Sequence, residues 1–347
     1  MAPELHAVGC TSGVWESFMK FFGVWLVAGL SFAASSALAA DKVSFGTNWL
    51  AEAEHGGYYQ ALADGTYAKF GLDVTIVQGG PQAANGILLA SGKLDFYIGG
   101  SLLEAFDAVT QNIPLVVVAA DFQKDPQMLM SHPGVGLDKL QDLTKSPAFI
   151  SKGVAFYEWL VSAYGFSEDN VKPYTFNPQP FIADPKSIQQ GYITSEPFAV
   201  EKVGHFKPNI FLFADYGYST YATTIETRAD IIAKKPDMVQ RFVDASTIGW
   251  YNYLYGDNKQ ANELIKKDNP DMTDEQIAFS IGKMKEYGLV DSGDAAKLGI
   301  GAMTDERVKN FYDVMVKAGV SKPGLDYKKS YTLQFVDKGV GLNLKPK

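Results

Sequence analysis

Asn48-Trp49, Tyr157 with Trp159, and Tyr192 four residues before Glu196 are the positions whose residue types suit recognition of a flat polar ring. An indole or phenol face stacks on a ring, an amide offers both a donor and an acceptor, and a carboxylate engages two polar atoms of one edge at once. In Gln190-Gly191-Tyr192-Ile193-Thr194-Ser195-Glu196-Pro197-Phe198, a stacking ring and a carboxylate fall just ahead of a proline that starts a helix. Glu196 is therefore expected either at a ligand's amino edge or as a cap of that helix. Trp49 either stacks on the ligand or closes the edge of the core, and His55 either binds ligand or satisfies a helix start. Tyr157 and Trp159, two positions apart, cannot share one helical face, so one is expected to pack inward while the other faces the ligand.

Glycine turns follow two of the predicted strands, Gly79-Gly80-Pro81 and Gly99-Gly100-Ser101. A glycine such as Gly100 lets a ligand approach the backbone, and Ser101 either points at the ligand or caps the next helix. No arginine clamp for an anion is evident, because Arg228, Arg241 and Arg307 all lie outside these stations. His55, His132 and His205 have no metal-ligand spacing. The acid pair Glu52/Glu54 falls on an expected exposed loop and reads as a solvated face rather than an acid–base pair.

These residues need a scaffold. The chain has 347 residues, 46% hydrophobic and 20% charged, enough for two cores rather than one. Met19-Lys20, an apolar run over 21–34 and Ala37-Leu38-Ala39 form a cleavable export signal over residues 1–39, with cleavage expected after Ala39 and the start codon at Met1 or Met19. The single cysteine, Cys10, lies within that leader, so the mature chain is expected to lack thiol nucleophiles, disulfides and cysteine metal sites. A net charge of -8 makes nucleic acid an improbable partner.

From Lys42 strands and helices alternate: strands over 43–46, 72–77, 94–98 and 115–120, helices over 57–69, 81–91 and 101–110. Such repeats with short glycine-containing turns mean an α/β protein with a largely parallel sheet covered on both faces. A second set begins near Gln127, with helices over 137–143, 156–164 and 185–190 and strands over 171–176 and 209–213. Asn177-Pro178-Gln179-Pro180 reads as a loop. Beyond about Tyr221 the chain is expected to turn helical. A helix over 237–254 places Val239, Phe242, Val243, Trp250 and Leu254 at helical spacing, and Thr273 and Thr304 look like caps of two more. In open parallel sheets ligands sit beyond the carboxyl ends of strands, which is where Asn48-Trp49 falls.

Taken together, Thr47-Asn48-Trp49, Glu54-His55-Gly56, Phe70-Gly71-Leu72-Asp73-Val74, Ser91-Gly92-Lys93-Leu94-Asp95, Asn112-Ile113-Pro114 and Ser195-Glu196-Pro197-Phe198 resemble periplasmic solute-binding proteins of the family shared with fungal thiamine-pyrimidine synthases. The likeness runs from about Lys42 to Val336. It implies a type II periplasmic-binding-protein fold: two Rossmann-like lobes joined by two crossovers, with residues 40–121 and 221–347 as lobe one and 122–220 as lobe two. The hinge would lie over 119–122 and 214–221, and the partner would be an ABC permease. Carried over by position, Trp49 and Tyr192 sandwich a pyrimidine ring, Glu196 pairs with its amino edge and Asn48 adds a polar contact. The expected ligand site is thus Asn48, Trp49, His55, Gly56, Gly100, Ser101, Tyr157, Tyr192 and Glu196, with no catalytic residue, metal or cofactor. The resemblance makes the protein a periplasmic monomer that binds an aminopyrimidine thiamine precursor; a sulfonate, riboflavin or another aromatic nitrogen compound is the alternative. The synthases use a lysine after the third strand, with a nearby histidine, to hold pyridoxal phosphate. Here Ile98-Gly99-Gly100-Ser101-Leu102-Leu103 carries neither, which argues against an enzyme.

Overall fold

The computed structural model describes residues 39–151 and 154–346. All but the last residue of the expected leader, Cys10 included, falls outside them. The chain from Ala39 onward forms one compact unit built on two five-stranded sheets. Four strands come first: β1 (Asp41–Gly46), β2 (Leu72–Val77), β3 (Phe96–Ser101) and β4 (Leu115–Phe122). The second sheet follows without interruption, from β5 (Gln127–Ser131), β6 (Ala148–Ile150), β7 (Val171–Pro173), β8 (Ile188–Tyr192) and β9 (Asn209–Leu212). The chain then returns to the first sheet with β10 (Ala222–Arg228). The sheet orders are β2-β1-β3-β10-β4 and β7-β6-β8-β5-β9. Each sheet carries its own lobe, and the chain passes between them twice, between β4 and β5 and between β9 and β10.

The first sheet is parallel from β2 through β3, but β10 runs antiparallel between β3 and β4, pairing Ile225 with both Ile98 and Ala119. Reading the chain as helical beyond Tyr221 misses this strand. Its run Ala-Thr-Thr-Ile-Glu-Thr-Arg is rich in β-branched residues, and tertiary pairing buries nearly all of it. The expected helix over 185–190 is also wrong, since β8 occupies the middle of the second sheet. Glutamines favour helices in isolation, but Ile188 and Gln189 are fully buried between β5 and β6. Residues 177–180 do admit a helix: Gln179–Ala183 starts there, with Pro180 in the first turn where its missing N–H costs nothing.

Lobe one is completed by the helix Pro236–Tyr255, which crosses Gly56–Ala63 at very close range. A Cβ on Gly249 would meet the Gly57 carbonyl at 2.2 Å, and one on Gly57 would meet the Trp250 ring at 2.3 Å. The caps expected at Thr273 and Thr304 are formed, each hydroxyl accepting from the amide three residues on. Arg307 binds both crossovers: its guanidinium donates to the carbonyls of Gln123, Ser219 and Thr220 and lies 4.1 Å from the Tyr221 ring centre.

Candidate functional site

The loop after β1 is fastened before it reaches the cleft. Thr47 Oγ1 donates to the Trp49 carbonyl (2.8 Å) and accepts from Gly79 N (2.9 Å). Asn85 Nδ2 donates to the carbonyls of Thr47 and Val77, Gln78 Oε1 accepts from Ala51 N (2.7 Å), and Asn269 Nδ2 donates to the Ala51 carbonyl (2.9 Å). Gly79 is required by this packing, because a Cβ there would stand 2.3 Å from the Thr47 carbonyl. The role of Gly79-Gly80-Pro81 is thus to seat the Asn48-Trp49 loop.

The facing wall grows from β8. Gly191 leaves room for Glu196, whose Cβ would be 2.7 Å from any Cβ at 191. Glu196 Oε2 accepts from Tyr192 N (2.7 Å) and Oε1 from the Tyr174 hydroxyl (3.2 Å). Glu196 is the first residue of the helix Glu196–Gly204, but Ser195 holds the cap position and the Glu196 side chain makes no capping hydrogen bond, so of its two expected roles only the place in the cleft is seen. Gln190 Oε1 accepts from Ser151 N (2.6 Å) and fixes the adjoining segment.

Between the walls lies a cavity of about 300 Å³. Asn48, Trp49 and Glu52 line it from lobe one; Val154, Phe176, Tyr192 and Glu196 line it from lobe two, with Ser151, Gln127 and Gln190 adding polar atoms. Phe176 is 54% exposed and sits at φ 61°, a left-handed conformation costly for a bulky residue. Its ring centre is 5.0 Å from that of Trp49 and 5.2 Å from that of Tyr174, so it reaches across the cleft mouth to the opposite lobe.

His55 stands behind Asn48. It is buried, burial pushes its pKa down to about 3, and it is therefore neutral. Its Nε2 lies 3.1 Å from Asn48 Oδ1 and Nδ1 has no partner, so Nε2–H donates to that oxygen. Asn48 consequently keeps both Nδ2 hydrogens for the cavity. Glu196 is pushed up to about 7, by burial first and by the charge of Glu54. Glu52 is raised well above the ordinary carboxyl range by burial and then by Glu54 and Glu196. Glu54 is 4% exposed, which overturns the expectation of a solvated acid pair. Among the described residues lining the cavity there is no lysine or arginine.

Of the nine expected site residues, Asn48, Trp49, Tyr192 and Glu196 meet in the cavity. The others stand elsewhere. Gly56 is packed against the Tyr253 ring, 2.0 Å from a hypothetical Cβ, and serves helix packing. Gly100 donates its N–H to Glu104 Oε1, and Ser101 Oγ accepts from Leu103 N as a helix cap. Tyr157 is buried and its hydroxyl donates to the Ser167 carbonyl, while Trp159 packs on Phe213 and Tyr218. Neither ring of that pair lines the cavity: both are buried, and the exposed side of the helix is formed by Glu158, Ser162 and Ala163 instead. Glu52, Tyr174 and Phe176 were missed. A bulky aromatic just before Asn177-Pro178, where loops leave a sheet, was the available signal.

Two lobes on separate sheets, a double crossover and a cleft at the strand ends define the periplasmic-binding-protein fold. Solved structures share that fold. The periplasmic aliphatic sulphonate binding protein SsuA from Escherichia coli matches with a TM-score of 0.63 at 12% identity over 83% of this chain and 91% of that one. The Candida albicans CA3427 gene product, described as having the generic periplasmic binding protein fold, gives 0.59 at 16% identity over 84% and 96%. The periplasmic nitrate-binding protein NrtA from Synechocystis PCC 6803 gives 0.52 at 12% identity over 85% and 87%. The chain belongs to the NMT1/THI5-like family, whose model matches residues 52–261. No curated protein matches the sequence significantly.

Proposed function

We propose that the protein is the periplasmic receptor of an ABC importer and that it binds an aminopyrimidine thiamine precursor, of the hydroxymethylpyrimidine or formylaminopyrimidine type, between its lobes. The observation that carries this reading is the pairing of the Asn48 amide with the Glu196 carboxylate in one aromatic-walled cavity. An aminopyrimidine presents an acceptor ring nitrogen beside a donor amino group. Asn48 Nδ2 supplies the donor for the nitrogen, and Glu196 the acceptor for the amino group. Trp49 and Tyr192 offer the stacking faces. Sulfonate and nitrate, the ligands named for two proteins of similar fold, would meet carboxyl groups here with no described cation to hold them.

The fold supports the receptor role. Residues 40–121 with 221–347, and residues 122–220, move as two bodies; closure over the ligand creates the form that docks on the permease. The exported monomer begins at Ala40 once the leader is removed. An enzyme reading is disfavoured by β3 and the segment after it, which offers no lysine for a pyridoxal Schiff base.

Calorimetric titration of the mature protein with hydroxymethylpyrimidine, formylaminopyrimidine, riboflavin and taurine tests the reading. Binding confined to the pyrimidines is expected, and Glu196→Gln should weaken it by about 1–3 kcal/mol, as for loss of a charged hydrogen bond. Binding of taurine alone would overturn the ligand assignment.

A further inference from the structure

Glu52 is a cavity carboxyl to which the aminopyrimidine reading gives no task. It comes from lobe one, whereas Glu196 comes from lobe two, and both line the same space. Among the described residues, the cationic candidate beside it is His55, whose Nε2 lies 3.8 Å away. That nitrogen is engaged with Asn48, and the ring is neutral, so it offsets no charge. The surroundings add to the negative field. Tyr192 feels Asp125, Glu52, Glu104 and Glu54, and Glu54 Oε1 is buried without a partner.

Two carboxyls that face one cavity from opposite lobes repel when both are ionised, unless a proton or a cationic ligand lies between them. Building on the aminopyrimidine reading, we propose that Glu52 is a second ligand carboxyl and that the cavity selects a flat heteroaromatic ring carrying positive charge, shared between Glu52 and Glu196. The ligand class is then a protonated or permanently charged amino-heteroaromatic ring rather than a neutral one. Trp49 contributes in the same sense, since an indole face attracts a cation. Closure becomes conditional on charge: a neutral ring of the same shape fills the cavity yet leaves the two carboxyls opposed, and an anion adds a third negative group. Glu52 thereby sets specificity from the lobe whose loop is already fastened by Thr47, Gln78, Asn85 and Asn269.

Three probes of nearly one shape separate charge from fit: benzamidine (cationic), benzamide (neutral) and benzoate (anionic), titrated calorimetrically at fixed neutral pH. The wild-type protein is expected to bind benzamidine at least about tenfold tighter than benzamide, a difference of one decade in Kd, and to ignore benzoate. In Glu52→Gln the benzamidine preference should shrink by about tenfold while benzamide affinity stays in place. Glu52→Asp should restore part of it. The ligand-free Glu52→Gln protein should also melt at a higher temperature than wild type, because a repulsion is removed; a purely structural carboxyl would give the opposite shift. No preference for benzamidine in the wild type, no binding of it, or a preference that survives Glu52→Gln overturns the proposal. If hydroxymethylpyrimidine binds and depends on Glu196 while the benzamidine ratio ignores Glu52, the aminopyrimidine reading stands and this inference alone fails. If the ratio depends on Glu52 but no pyrimidine binds, the reverse holds.

Discussion

The crossovers and the cleft they serve use polar side chains in opposite ways. At the crossovers Arg307 satisfies carbonyls of both connecting segments, and Gln123 donates to Ala120 and Ala302 while accepting from Ala295 N. In and behind the cleft, Ser151 Oγ, Glu54 Oε1 and His55 Nδ1 have no protein partner. Satisfied polar networks fix a structure, whereas unsatisfied ones store a demand that a ligand can meet. Asp121 Oδ1 and Asp125 Oδ2 beside the first crossover are buried without a partner as well, so stability there rests on Arg307 and Gln123 rather than on complete satisfaction, while recognition falls to the open groups of the cleft.

The largest expected effect is on the crossover side. Arg307→Met takes a donor from the carbonyls of Gln123, Ser219 and Thr220 and leaves Asp294 with only the Tyr221 hydroxyl, and urea denaturation should report a loss of about 3 kcal/mol. Gly79→Ala bridges the two regions, since its Cβ would press on the Thr47 carbonyl. A loss of about 1–3 kcal/mol from overpacking is expected, together with weaker ligand binding as the Asn48-Trp49 loop shifts. Loss of stability with unchanged binding would show that the loop re-seats independently.

A smaller effect concerns pH. A carboxyl whose pKa is raised by folding binds its proton more tightly in the folded chain, so its contribution is present at acid pH and lost as pH rises through the raised value. Glu196 is pushed up to about 7 and is faced by Glu52, Glu54, Tyr174 and Tyr192; Asp121 and Asp125, also pushed up to about 7 by burial, act with the same sign. The melting temperature of the ligand-free protein should fall between about pH 5 and pH 8, and Glu196→Gln should flatten part of that fall. An identical slope in the variant would place the titration elsewhere. Smallest in stability is Phe176→Ala: the ring is half-exposed and its backbone strained, so folding should change by no more than about 0.5 kcal/mol. Stopped-flow measurement should instead find faster ligand release, because the ring across the cleft mouth is gone.

Local signals carried much of this molecule. The alternation that runs through β1, β2, β3 and β4 was legible because apolar strand runs and helices follow one another with short turns whatever the pairing, and Thr273 and Thr304 announced their caps by residue type alone. β8 and β10 were not, since their glutamines and threonines become strand residues only through partners far along the chain. In the cleft, Asn48, Trp49, Tyr192 and Glu196 were readable as chemistry beside glycine-rich strand ends. Glu52 and Glu54 were misjudged because exposure was inferred from their loop, and burial there depends on the opposite lobe and on the helix Pro236–Tyr255.

The position of β10 has a consequence for the order of folding. The strand that completes the first sheet is the last to be made and enters inside it, between β3 and the edge strand β4. A chain growing from its N-terminus can therefore finish the second sheet, whose strands are contiguous, while the first still holds a gap with two open strand edges. Closing that gap is the long-range step that sets the pace, and any chain ending before Ala222 would keep its first lobe permanently unzipped.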